Sequence, residues 1–311
     1  MGDVDDLKRE AEEAKEKIKK DIEEAGDILR RIAEESAQIG TGKAEKAMQR
    51  AEKWIEKMTE QVEKRFEKAI GRVIKTSSDD GRIITREFDF SDFTNVEVSH
   101  AFRIEITRSD SYQVSITANA KLFDYIDVSK AGNALRISRK PYHFPTRRAP
   151  EVRINMPILN KLRLSGATKG TVAGFSSQED FDLNVSGASG LDIDMEAGKT
   201  KLEISGASRV SGNVKVADAE FTLSGASRAK LSGSANNIVL NAWGASRLDL
   251  ADFTLNDTSV SLKGASRATC GECCGNLDLD LSGASKLEYC GNPTMRDINV
   301  SGASTLNRKN K

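Results

Sequence analysis

Residues 205–227 read SGASRVSGNVKVADAEFTLSGAS and hold one complete period of the pattern that decides the fold. A Ser-Gly-Ala-Ser unit returns after 19 residues, and the segment leading into the second copy, Glu220-Phe221-Thr222-Leu223, alternates polar and apolar. Working outward, the unit x-Gly-Ala-Ser/Thr occurs eight times, with its glycine at 166, 187, 206, 225, 244, 264, 283 and 302. The intervals are 21, 19, 19, 19, 20, 19 and 19 residues, a sustained period that marks a solenoid. Alternating segments precede the units (Lys201-Leu202-Glu203-Ile204; Ser259-Val260-Ser261-Leu262) and follow several of them (Leu191-Asp192-Ile193; Leu248-Asp249-Leu250). Two short strands per coil with no helical segment between them predict a mainly β protein, a parallel β-helix of about 19 residues per coil.

Each residue of the unit has a physical reading. Glycine supplies the positive φ that a sharp corner needs. Alanine at all eight next positions predicts a place too tight for more than a methyl, and the Ser or Thr hydroxyl is expected to hold the corner by bonding nearby backbone. A nucleophilic role for these serines would need a histidine beside them, and His100 and His143 both fall outside the repeats.

The residue after each unit is Lys169, Gly190, Arg209, Arg228, Arg247, Arg267, Lys286 and Thr305. Stacked one coil apart, six basic residues form a cationic ladder. Two readings follow: a solvated face whose guanidinium groups pack on one another or pair with Asp192, Glu203, Glu220, Asp249, Asp278 and Asp280, or a stripe that binds a repetitive anionic polymer such as an acidic polysaccharide. Four cysteines cluster at 270, 273, 274 and 290. They fit free thiols, a disulfide, or a metal site. The adjacent Cys273 and Cys274 point to opposite faces of a strand, so a metal would have at most Cys270, Cys273 and Cys290.

Upstream, residues 82–159 carry period-two pairs (Ile104, Ile106; Val114, Ile116; Leu135, Ile137; Val152, Ile154) and are expected to form irregular first coils, before regular repeats over 160–311. The loop 140–150 has three prolines, which keep it out of a sheet interior; Tyr142, Arg147 and Arg148 make it a second candidate ligand site. Residues 76–81 read as a linker. Residues 1–75 lack proline and carry one apolar stripe on each side of Gly40-Thr41-Gly42, which predicts an antiparallel helical hairpin, coiled-coil-like and suited to homo-oligomerisation.

Charge is balanced at 47 basic against 47 acidic residues, and nearly so within each region: 18 to 19 in 1–75, 12 to 11 in 76–159 and 17 to 17 in 160–311. Bulk charge therefore points to no nucleic-acid partner. No apolar run of transmembrane length occurs and the start, MGDVDDLKRE, lacks a signal-peptide layout, so no membrane insertion and a cytoplasmic location are expected.

A family resemblance rests on Phe93-Thr94-Asn95-Val96-Glu97-Val98-Ser99, Ala101-Phe102-Arg103-Ile104-Glu105-Ile106, Leu122-Phe123-Asp124-Tyr125-Ile126, Val152-Arg153-Ile154-Asn155-Met156-Pro157 and Leu162-Arg163-Leu164-Ser165-Gly166-Ala167, followed by the Ser-Gly-Ala-Ser units. In these the chain resembles the GIN-domain family of auto-transporter adhesin heads. The resemblance implies a right-handed parallel β-helix, no catalytic residues, no cofactor and relatives that are often exported to the envelope. Function is then expected to be non-enzymatic, structural or adhesive. A carbohydrate-active enzyme would need paired acids, such as Asp192/Asp194 or Asp278/Asp280, facing a cleft, and coils of 19 or 20 residues leave no long loops to wall one.

Overall fold

The computed structural model describes residues 82–141 and 148–309, together with Lys20, Asp27 and Lys53, each in helical conformation. The hairpin expected over 1–75 and the linker at 76–81 otherwise lie outside the described residues. The chain divides between Arg82 and Ile83, and the second unit is a β-solenoid of about eight turns at a spacing near 19 residues.

Each regular coil has two walls. One lies before the Gly-Ala-Ser corner and the other after it. Coils add in parallel and in register: Leu183 lies beside Leu202, Leu202 beside Phe221, Phe221 beside Leu240 and Leu240 beside Val260. These inward positions are buried and form one continuous core, while the alternate residues face water. Alternation with period two is what puts every second side chain inside.

The order of coils in the stack departs from their order in the chain. Asn95–Val98 pairs with Ala134–Arg139 on one side and Lys161–Leu164 on the other, and Arg103–Arg108 lies likewise between Glu151–Met156 and Lys169–Ser176. The first coil in sequence is therefore second in space. The outermost coil is closed by antiparallel strands: Ile126–Ala131 covers Ala134–Arg139, and Gln113–Asn119 covers Glu151–Met156 and is covered in turn by Ile83–Phe88. Such strands blunt an open sheet edge.

The corners correct one expectation. All eight alanines of the units are exposed or half-buried, not confined. The tight position is the glycine, whose φ is between 68° and 80° at all eight corners. From Gly187 to Gly302, a Cβ there would meet the carbonyl oxygen of the glycine one coil earlier at 2.5–2.9 Å. The buried position is the Ser or Thr. Thr168, Ser227, Ser246, Ser266 and Ser285 donate to carbonyl oxygens at 2.6–3.3 Å, as expected, while the buried Ser189 and Ser208 hydroxyls have no partner.

Candidate ligand-binding face

The parallel register turns a sequence position into a surface feature. Arg209 lies beside Arg228, Arg228 beside Arg247, Arg247 beside Arg267 and Arg267 beside Lys286. Lys169 continues the column on the far side of Gly190. The missing side chain at Gly190 leaves a shallow depression whose lining includes Lys169, Asp192, Arg209 and Ser211.

The four arginines are exposed, and among the described residues none makes an ion pair or a side-chain hydrogen bond. None of the six candidate acids pairs with these arginines, and for four of the six the reason is positional. Glu203, Glu220, Asp278 and Asp280 sit on the wall before the corner, whereas the arginines begin the wall after it. Glu203 is engaged by Lys201 at 2.8 Å and Asn184 at 2.9 Å, which hold its carboxyl below the usual range. Asp278 accepts from the Asp297 amide at 3.2 Å and Asp280 from Asn299 at 3.1 Å. Of the two acids on the arginine wall, Asp249 accepts from the Ala251 amide at 3.2 Å. Lys286 differs, with Nζ 2.8 Å from Glu288, whose carboxyl is held low by Lys286 and Lys309. Stacked guanidinium groups about 5 Å apart repel by only roughly 0.8 kcal/mol per pair in water, so the ladder is tolerable unliganded.

The ladder has a rung that the repeat pattern did not reveal. Ser99-His100-Ala101-Phe102 forms the corner of the coil next to Lys169, with His100 at φ 77° in the glycine position and its carbonyl accepting from the Ala167 amide at 3.0 Å. The residue after this corner, Arg103, lies beside Lys169 and is 3.5 Å from Glu151. The retained Ala101 and the basic residue at the same offset were the available signal. Glycine and serine had both been replaced. In the outermost coil, the segment 140–150 follows Ala134–Arg139 and precedes Glu151–Met156 in the chain. Arg148 is exposed there, and Tyr142 and Arg147 lie outside the described residues.

Asp192 and Asp194 are exposed on an open wall, and Asp194 accepts from Asn213 at 3.2 Å. All four cysteines are free. Cys270 and Cys273 are buried, Cys274 faces water and Cys290 is half-buried, lying beside Glu272 in the register. Among the described residues, no three of His, Cys, Asp and Glu are grouped to hold a metal ion. The hydrogen bond with Cys273 and burial push the Cys270 thiol well up. A neutral-pH thiol reagent is expected to modify Cys274 first and Cys270 and Cys273 only after denaturation, as counted by mass spectrometry.

Residues 92–293 match the family model described as "Putative auto-transporter adhesin, head GIN domain". Among solved structures, the chain is similar to a putative adhesin from Parabacteroides distasonis (16% identity, TM-score 0.69, covering 74% of this chain and 98% of that one). A putative adhesin from Parabacteroides merdae is alike at 16% identity and TM-score 0.69, over 74% and 97% of the two chains. A putative lipid binding protein from Parabacteroides distasonis gives 16% and 0.66, over 74% and 98%. At these identities the likeness shows the fold alone. No curated protein matches. Among the described residues, no helix is long and apolar enough to cross a membrane.

Proposed function

The chain belongs to the family of auto-transporter adhesin head GIN domains, and from that premise we propose that it is a non-enzymatic binding module that adheres to an anionic polymer, an acidic polysaccharide, along its arginine ladder. The single observation that carries this reading is that Arg209, Arg228, Arg247 and Arg267 stand in register, exposed and without a carboxylate partner among the described residues. A planar guanidinium presents a fork that matches carboxylate geometry. Four at a fixed spacing favour a ligand that repeats its charge, because each further contact is made at high effective concentration. Self-association through residues 1–75 would set several ladders side by side and multiply that gain. Light scattering on the full chain and on a chain starting at Thr76 tests it, and two monomers would refute it.

The test of the ladder is charge reversal. Replacing Arg209, Arg228, Arg247 and Arg267 together by glutamate is expected to weaken binding to an array of acidic glycans by at least about a hundredfold, with affinity in the parent falling as salt rises. Binding that survives reversal eliminates the ladder as the site.

A further inference from the structure

The residue before each glycine forms its own column on the other side of the corner: Ser165, Ser186, Ser205, Ser224, Trp243, Lys263, Ser282 and Ser301. Trp243 is the one aromatic in a column that otherwise holds six serines and Lys263. Its backbone keeps the shared register, with its amide donating to the Leu223 carbonyl at 3.0 Å and its carbonyl accepting from Ser246 Oγ at 2.6 Å. The fold therefore does not need an indole at this point, and serine serves the same backbone elsewhere. Yet the side chain stands 47% exposed, leaving a large apolar face in water.

What surrounds it identifies a ligand class. Arg247 follows across the corner, and the four-residue span keeps the two Cα atoms within about 14 Å. Of the residues between them in the chain, Ser246 is buried and the exposed Gly244 and Ala245 carry nothing larger than a methyl. Arg228 and Arg267 flank Arg247 in the ladder. On the other side, Asn241 shares the outward face of its strand with Trp243, because Leu240 and Ala242 point into the core. Asn184, Asn213, Asn237, Asn276 and Asn299 each donate their amide to a carboxylate on a neighbouring coil at 2.7–3.2 Å. Asn241 has Thr222 and Ser261 beside it instead, and its side chain makes no hydrogen bond among the described residues.

We infer that Trp243, Asn241 and Arg247 form a subsite for one acidic sugar unit: the indole takes the C–H face of the ring, the Asn241 amide takes hydroxyls, and the guanidinium takes the carboxylate. This rests on the ladder reading and deepens it, since it turns a general polyanion stripe into one selective for uronate-type saccharides. Single-stranded nucleic acid is the competing polyanion. It is disfavoured because strand-tracking sites place an aromatic under each of several successive bases, and this column has one.

The test uses the full chain carrying Trp54→Phe, which leaves Trp243 as the sole tryptophan. Titration with oligogalacturonate is expected to shift Trp243 emission. Trp243→Ser, the residue the column uses elsewhere, is expected to weaken oligogalacturonate binding at least about tenfold, as loss of an aromatic anchor does, and to leave polyphosphate binding within twofold. Asn241→Ala is expected to weaken the oligouronate alone. Oligogalacturonate binding unchanged by Trp243→Ser, or a single-stranded oligonucleotide that shifts the emission at lower concentration, overturns the subsite. Polyphosphate binding without oligouronate binding also overturns it while leaving the ladder standing. Loss of every polyanion from the parent protein refutes the ladder itself.

Discussion

Gly206→Ala is expected to destabilise the solenoid by about 2–5 kcal/mol, although it adds a single methyl. Gly206 sits at φ 73°, where an L side chain is strained, and its Cβ would come within 2.5 Å of the Gly187 carbonyl oxygen. That oxygen is not free to retreat, because it accepts from the Ala207 amide at 2.7 Å. Backbone strain of about 1–3 kcal/mol and an overpacking cost of similar size therefore add. The reduced freedom of the unfolded chain offsets only about 0.4–1 kcal/mol. The neighbouring change Ala207→Lys is the control: its side chain enters water, so its effect is expected to stay within about 0.5 kcal/mol. Chemical denaturation followed by circular dichroism reads both. Equal loss in the two variants would mean that the alanine is as confined as the glycine.

The second large effect lies in the core. Phe221→Ala is expected to cost about 3–5 kcal/mol, the range for emptying a buried aromatic site. Phe221 is 1% exposed on the wall before the corner, and its ring meets Phe253 from the wall after it, with centroids 6.3 Å apart and planes at 82°. The pair joins the two walls in an edge-to-face contact worth about 0.5–1.5 kcal/mol beyond the buried area. Phe253 lies beside Gly233 one coil earlier, which offers it no side chain on that side. Phe221→Leu, matching the Leu202 and Leu240 that flank it, is expected to recover most of the loss. A melting temperature for Phe221→Ala equal to that of the parent would show that the walls are not coupled through this contact.

Much of the architecture was legible because a solenoid repeats its environment. Leu202, Phe221 and Leu240 meet the same neighbours one coil apart, so the same residue types recur and the period can be read directly. The ladder was legible for the same reason, since Arg209 to Arg267 occupy one offset from the glycine. Where a coil departs from the consensus, the signal fades. Ser99-His100-Ala101-Phe102 makes the same corner with other residues, and its place between two later coils cannot be read from spacing, because strands distant in sequence pair there.

Sequence by itself determined the coil length, the inward and outward alternation, the positive-φ glycines and the column of arginines. Each follows from local backbone geometry repeated at a fixed period. Only the tertiary structure decided which groups meet. It put Glu203, Glu220, Asp278 and Asp280 on the opposite side of the corner from the guanidiniums, turned the alanines outward, and left Asn241 beside Trp243 without an acid above or below it. Those outcomes depend on the angle between walls and the register of neighbouring coils, which pair residues 19 or more positions apart and leave no trace in the local pattern.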